Sequence, residues 1–418
     1  MTTAPTPTPR FAALQHRNFV LLWAGLIVSN TGTWMQNVAQ GWLVLQLTNS
    51  PLWLGLLGLS FAVPMIVLPL VGGAVVDRID RIKLLYVTQT GAMLTALVLA
   101  IMTWTGTVHI SYILIASFVS SCLLAFDNPA RQALVPDLVP QRDLLNAISL
   151  NSATYTGAAL VGPAIAGILL VPLGAGTLFF LNAVSYLAVL IALTFMRNVQ
   201  ARGNATQHAS IAKSMLTGLS YAWKNRLILS LLGLSALAAL FGRSYQNLLP
   251  IFSRDIWNGG PAGYGILLST SGAGALVGAF GLASARSVKR QGAIMIASGL
   301  IFSLCVILFA LSSSFWLGAA MLFIGGIAVT IFSTIISTFI QVTVPNELRG
   351  RVMSLYSITL IGLPSLGAMG SGSLAELLGG VSGAPRAVLL GGIVVGIVLI
   401  LVTPLFWNRS IAAFKKTT

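Results

Sequence analysis

Of the 418 residues, 56% belong to the AVILMFWYC set and only 7% are charged, and the mean hydropathy is +0.91. A soluble chain carries about 25% charged residues, so a fold of this size in water has too little charge to coat its surface, and soluble enzymes are nearly excluded. The charge is lopsided, with 23 Lys+Arg against 8 Asp+Glu and a net charge of +15. That raises nucleic acid as a partner until the charges are placed.

Apolar stretches of the ~20 residues needed to cross a bilayer recur along the chain. Twelve are predicted, at 19–46, 52–76, 83–105, 110–130, 144–171, 175–196, 227–252, 262–284, 292–312, 316–340, 352–378 and 384–407. Ahead of them, Met1 to Arg10 is a Thr/Pro run without an apolar segment behind a basic start, expected to be a tail and not a cleavable signal. Of the 23 basic residues, 20 fall in alternate breaks and the two tails, from Arg10 and Arg17 to Lys415 and Lys416. The other breaks hold Arg254 and Arg386, and Arg243 lies inside the seventh span. Cytoplasmic loops hold the Lys/Arg excess, so both termini are expected in the cytoplasm of a multi-pass protein of the cell (inner) membrane. Spread over seven small loops, the positive charge makes no nucleic-acid surface.

The first span carries a polar stripe on an otherwise apolar helix. At 100° per residue Asn30, Thr33, Trp34, Asn37, Gln40 and Gly41 fall within about 120°. Polar side chains facing lipid are costly, so the stripe faces either a cavity or a partner helix to which it hydrogen-bonds. After the second span the chain reads GAVVDRIDRIK, Gly73 to Lys83. This resembles the loop signature GxxxDRxGRR of the major facilitator superfamily, departing from it at Asp80 and Ile82. The resemblance implies that Gly73 permits close packing, that Asp77 faces the N-terminal dipole of the eleventh span, and that Arg78 and Arg81 complete a cluster latching the cytoplasmic side. In such a cluster the second arginine meets an acid at the cytoplasmic end of the fourth span, where Asp127 is the acid available. Arg131, four residues on, is expected to join it. Asp127 has a second reading as a membrane carboxylate that carries protons.

In the fifth span, GAALVGPAIAG (Gly157 to Gly167) resembles the antiporter signature GxxxGPxxGG of export branches, with Ala158 and Ala166 where glycines stand in it. Gly162 and Gly167 permit close helix contact, and Pro163 removes a backbone hydrogen bond and favours a bend. Segments around Trp34, around Arg131 and from Val344 to Ser354 are similar to the subfamily holding enterobactin exporters and macrolide efflux proteins. The longest polar break, Arg197 to Arg226, divides the chain into halves. At an offset of 205, Val139-Pro140 and Ser149-Leu150 match Val344-Pro345 and Ser354-Leu355, as a duplication requires. The predicted organisation is a tail (1–18), a six-helix bundle (19–196), a linker (197–226), a second bundle (227–407) and a tail (408–418).

Arg243 stands 17 residues into the seventh span, ~25 Å along the helix, followed by Tyr245, Gln246 and Asn247. It snorkels outward, pairs with a carboxylate or presents charge to a cavity. With Asn30, Trp34, Asn37, Gln40 and Tyr245 it forms the candidate substrate cavity. In the eighth span Gly274 and Gly278 make a GxxxG step, expected to serve contacts within the bundle.

No HExxH pair, GxSxG turn or GxxxxGK[ST] loop occurs. The histidines His16, His109 and His208 are expected in solvent, and Cys122 and Cys305 read as small core hydrophobes. The expectation is an all-α membrane protein of twelve transmembrane helices, no enzyme, with no cofactor, metal or ATP. It would export a medium-sized amphiphile as a monomer, by alternating access against protons. An uncoupled facilitator or importer, or a receptor or scaffold on the same fold, are the alternatives.

Overall fold

Helices account for nearly every residue in the computed structural model, which describes residues 11–76, 79–196, 211–284 and 290–406, with backbone alone for 69–76 and 211–216. They are α1 (Arg17–Thr48), α2 (Pro51–Val76), α3 (Arg81–Trp104), α4 (Ile110–Leu138), α5 (Leu144–Phe195), α6 (Ile211–Lys224), α7 (Arg226–Leu237), α8 (Gly260–Ser284), α9 (Gln291–Leu311), α10 (Phe315–Thr343), α11 (Asn346–Leu377) and α12 (Ala384–Phe406).

Local chemistry sets their ends. Asn49 enters the left-handed region at φ 49° and stops α1, and Pro51, which has no N–H to lose, opens α2. Asp80 accepts hydrogen bonds from the Ile82 and Lys83 amides at 2.9 and 3.1 Å. The residue that departs from the loop signature therefore caps α3. Asn225 caps α7 in the same way. Gly174, at φ 73° and ψ 168°, breaks α5 into arms over 144–173 and 175–195. A side chain is disfavoured at that φ, and the break falls between the fifth and sixth predicted spans.

Two elements depart from expectation. α4 runs to Leu138, two turns past its predicted end, with Pro129 and Pro136 inside it. Hydropathy fell at Asp127 and Arg131, but these two neutralise each other, so the helix continues. α7 stops being regular at Leu237. The chain goes on through a π turn (Ala238–Gly242), a 3-10 turn (Ser244–Leu248) and a second π turn (Phe252–Ile256). Pro250 withholds the N–H that would bond the carbonyl of Gln246.

Ten described segments are long and apolar enough to cross a bilayer, Gln141–Phe195 counting once. Arg17–Thr48 has the length but carries the polar stripe. Exposed apolar faces support the assignment: Val87, Leu94, Val98 and Ile101 of α3 are each about half exposed or more. Such a stripe is tolerated against lipid and not against water.

The helices assemble in two groups. In the first, α1 and α3 pack on α5, and α2 and α3 on α4; in the second, α9 packs on α10 and α12, α8 on α10, and α11 on the irregular part of the seventh span. Gly278 faces the Ile327 backbone of α10, so the GxxxG step serves an internal contact. The groups meet along two seams, α2 with α11 and α5 with α8. Ser149 and Ser354, paired by the repeat, each donate to a carbonyl one turn back, Leu145 and Gly350, in α5 and α11.

Candidate functional site

Both seams are tight at one end of the molecule. That is the far end, opposite the one where α1, α3, α5, α7 and α11 begin. On α5, Gly167 approaches α8 so closely that a Cβ there would lie 3.0 Å from Gly265 Cα. Further along, Ser269 donates to the Leu160 carbonyl at 2.8 Å, and a Cβ on Gly272 would sit 3.2 Å from the Ala159 oxygen. One turn nearer the basic end, Tyr155 is 60% exposed. On the other seam, a Cβ on Gly372 would meet the Pro51 oxygen at 2.6 Å. Trp42 stacks on Tyr264 with ring centroids 6.5 Å apart.

Charges complete this closure. Arg254 crosses from the second group to α1, donating to the Leu45 carbonyl at 3.1 Å and to Asn49 Oδ1. Glu376 at the end of α11 accepts from Ser50 Oγ at 2.7 Å and from the Leu52 amide at 3.4 Å. A cation thus sits at the C-terminus of α1 and an anion at the N-terminus of α2, each matched to the helix dipole it meets. Sequence reading placed Arg254 in a break between spans without a partner. Only the fold brings the α1–α2 turn against Arg254 and Glu376.

Inside the first group lies a polar core. Asp127, 2% exposed, accepts from Thr88 Oγ1 at 2.8 Å and Gln89 Nε2 at 2.7 Å, and pairs with Arg131 one turn along α4. Arg131 reaches Asn30 Oδ1 of α1 at 3.4 Å. Thr33 bonds the Tyr186 hydroxyl at 3.3 Å, and Asn182 donates to Gln36 at 2.7 Å. Thr88, Gln89, Gln36 and Asn182 escaped the sequence reading. Thr88 and Gln89 stand side by side in an apolar span, Gln36 adjoins the first-span stripe and Asn182 lies one turn from Ser185, and polar residues so placed could have flagged the core.

The expected pairing of Arg81 with Asp127 does not form. Arg81 instead bonds Asp137 at 2.6 Å and the Ala133 carbonyl at 2.9 Å. The longer α4 carries Asp137 to the helix end and leaves Asp127 eleven residues, ~16 Å, deeper. His16, expected in solvent, bonds Asp143 at 2.8 Å; His109 is exposed and His208 lies outside the described residues.

The first-span stripe divides. Asn30 and Thr33 turn into the polar core, Gln40 is buried, Trp34 meets Tyr155 edge-on at 6.3 Å, and Asn37 is exposed. Arg243 is half-buried, with no ion pair or hydrogen bond from its side chain to any described residue. It lies within electrostatic range of the hydroxyls of Tyr155, Tyr245 and Tyr356. Tyr245, expected in the cavity, is 3% exposed and packs on Phe309 at 5.8 Å. A 3-10 turn advances about 120° per residue, so Tyr245 points away from the side Arg243 faces. Trp34, Asn37 and Arg243 remain candidates for the cavity, with Tyr155 beside Trp34.

A profile of a family described as a transmembrane secretion effector matches residues 8–412, almost the whole chain. The chain belongs to that family. It is a branch of the major facilitator superfamily, whose members are transporters and not enzymes. The chain is similar to the staphyloferrin A transporter of Staphylococcus aureus, with 28% identity over 59% of the chain and 62% of that protein, less than two thirds of its length. Macrolide efflux protein A of Streptococcus pyogenes is 24% identical over 86% of the chain and 90% of its own. The crystal structure of the nucleoside transporter NupG shares the fold, with a TM-score of 0.77 at 16% identity, covering 95% of this chain and 100% of that one. Within the major facilitator loop signature, Asp77 and Arg78 lie outside the described residues, and Gly73 is described by its helical backbone alone. The antiporter-like motif falls where α5 meets neighbours on two sides. Gly162 faces Trp34 and the Thr31 oxygen of α1, while Gly167 and the Pro163 carbonyl face α8.

Proposed function

We propose that this major facilitator is a secondary active exporter of a medium-sized amphiphilic small molecule, drug- or siderophore-like, working by alternating access in exchange for protons. The carrying observation is that both seams close at the far end, while the α5–α8 contacts run only as far as Ala159 and Tyr155, one turn nearer the basic end, is 60% exposed. With the basic end in the cytoplasm, as the Lys/Arg distribution implies, this is an inward-open state able to load from inside. Counting α1 and both arms of α5 gives twelve crossings in two bundles of six, 19–196 and 227–407, joined by 197–226. The Gly162-Pro163 motif and the names of the efflux and siderophore relatives support export. Asp127 is the intramembrane carboxylate that protons would reach, and Arg81–Asp137 braces α3 to α4 beside the latch expected of Gly73, Asp77 and Arg78.

A second reading, an uncoupled facilitator, draws on the pairing of Asp127 with Arg131, since an acid held by a cation resists protonation. Proteoliposome flux of a macrolide and of a siderophore separates the two. Antiport is expected to concentrate cargo against its gradient when a pH gradient is imposed, and to stop when the gradient is collapsed. Flux indifferent to the gradient retires antiport and leaves the facilitator.

The far-end charges have to part when the protein opens outward. Replacing Arg254 and Glu376 together by Gln is expected to shift the equilibrium toward the outward-open state by ~1 kcal/mol, about fivefold. Spin-label distances between α2 and α11 at the far end report that shift; an unchanged distance distribution removes the clasp from the mechanism.

A further inference from the structure

We propose that Arg243 anchors a carboxylate or similarly compact anionic group of the cargo, so that the substrates are negatively charged amphiphiles. This deepens the exporter reading and rests on it.

Arg243 lies 17 residues after the start of α7, well inside the membrane-spanning stretch Arg226–Ile256. At that depth an arginine without a counter-charge is costly. Arg131, the other arginine deep in the helices, is paired with Asp127. Arg243 has no such partner among the described residues, and the irregular turns on either side of it free it from a regular helical face. Functional sites commonly coincide with such π turns.

The surroundings suit an anion with an apolar body. Tyr155, 60% exposed, has no hydrogen-bond partner among the described residues, which leaves its hydroxyl free to donate. The Tyr356 hydroxyl is committed to the Ser333 carbonyl at 2.6 Å. Trp34 and Tyr155 offer aromatic faces, and Asn37 continues the exposed stripe one turn further. A guanidinium presents paired donors that match a carboxylate, and apolar walls with a few convergent polar groups are what small-molecule sites use. A cationic cargo finds no counterpart here among the described residues. Asp127 is buried and paired, while Asp255 and Glu376 are engaged at the far end.

The test uses the full chain purified in detergent, with pyrenebutyrate and its uncharged amide as probes and energy transfer from tryptophan to pyrene as the readout. The wild type is expected to bind the acid about tenfold or more tighter than the amide. Arg243→Gln should bring the acid down to the amide's affinity and leave the amide unchanged, and Arg243→Lys should retain part of the preference. Equal affinities in the wild type, no binding of the acid, or equal weakening of both probes by Arg243→Gln would overturn the assignment. Displacement of the acid by phosphatidylglycerol but not phosphatidylcholine would also overturn it, naming a lipid headgroup as occupant. Binding in detergent needs no transport, so a charge preference without proteoliposome flux sinks the exporter reading and keeps the subsite. Flux of both probes untouched by Arg243→Gln does the reverse.

Discussion

Replacing Asp127 by Ala is expected to destabilise the protein by ~3–5 kcal/mol, because it strands a buried arginine. Asp127 is 2% exposed and only 12% of the Arg131 side chain is exposed, so water reaches little of the guanidinium once its partner is gone. Asn at position 127 keeps acceptors for Thr88 and Gln89 but not the charge, so it should recover only part of the loss. Removing both charges, Asp127→Asn with Arg131→Gln, should restore most of the stability, since the penalty belongs to the unpaired partner and not to the absent pair. Thermal unfolding of the two single variants and the double one gives the coupling directly. If the double variant loses as much as the singles added together, the pair is not the source. The folded double variant also tests coupling: with Asp127 as the proton site, its flux should no longer respond to a pH gradient.

Gly167→Val is expected to reduce transport at least tenfold by holding the far end open. A Cβ at this position would lie 3.0 Å from Gly265 Cα and 3.2 Å from the Ala262 and Pro261 carbonyl oxygens. All three are backbone atoms of α8, so no side chain can swing aside, and overpacking a close contact costs about 1–3 kcal/mol. Only the state with the seam closed bears that cost, which moves the population toward outward-open by about fivefold or more. Ser371, 9% exposed beside the Gly372 contact on the other seam, supplies a reporter. In a background with Cys122 and Cys305 replaced by Ala, Ser371→Cys should react faster with an impermeant maleimide when Gly167 is Val. Unchanged labelling together with unchanged flux would mean that the α5–α8 contact does not gate the far end. The contrasting variant is Gly157→Val, in the same motif, where nothing lies within 4 Å of the added carbon. It should transport normally.

The helices were legible because each apolar run is long and the breaks carry strong end signals. Asn49 and Pro51 mark one turn, Gly174 splits α5, and Asp80 and Asn225 cap α3 and α7. The end of α4 was not legible. Hydropathy sums residues independently, so it scored Asp127 and Arg131 as two charges where the helix holds one neutral pair a turn apart. The turns around Arg243 escaped for a related reason. The lone signal is Pro250, and whether a proline kinks a helix, ends it or passes through depends on the neighbours that satisfy the freed carbonyl. Pro163 and Pro136 pass through; Pro250 does not.

By itself the sequence determined the solvent and the approximate number of crossings, because these follow from hydropathy summed over local segments. It also placed Arg243 ~25 Å along its span, since distance along a helix is residue count times rise. Partners were decided by tertiary structure. Arg81 could meet either Asp127 or Asp137, the stripe on α1 could face a cavity or a helix, and Tyr245 could face the seam or the core. Rotation about a helix axis, a few degrees of helix crossing and the exact end of α4 settle these choices, and they depend on close contacts such as Gly167 with Gly265. Such contacts join residues nearly a hundred positions apart, where periodicity along the chain carries no information.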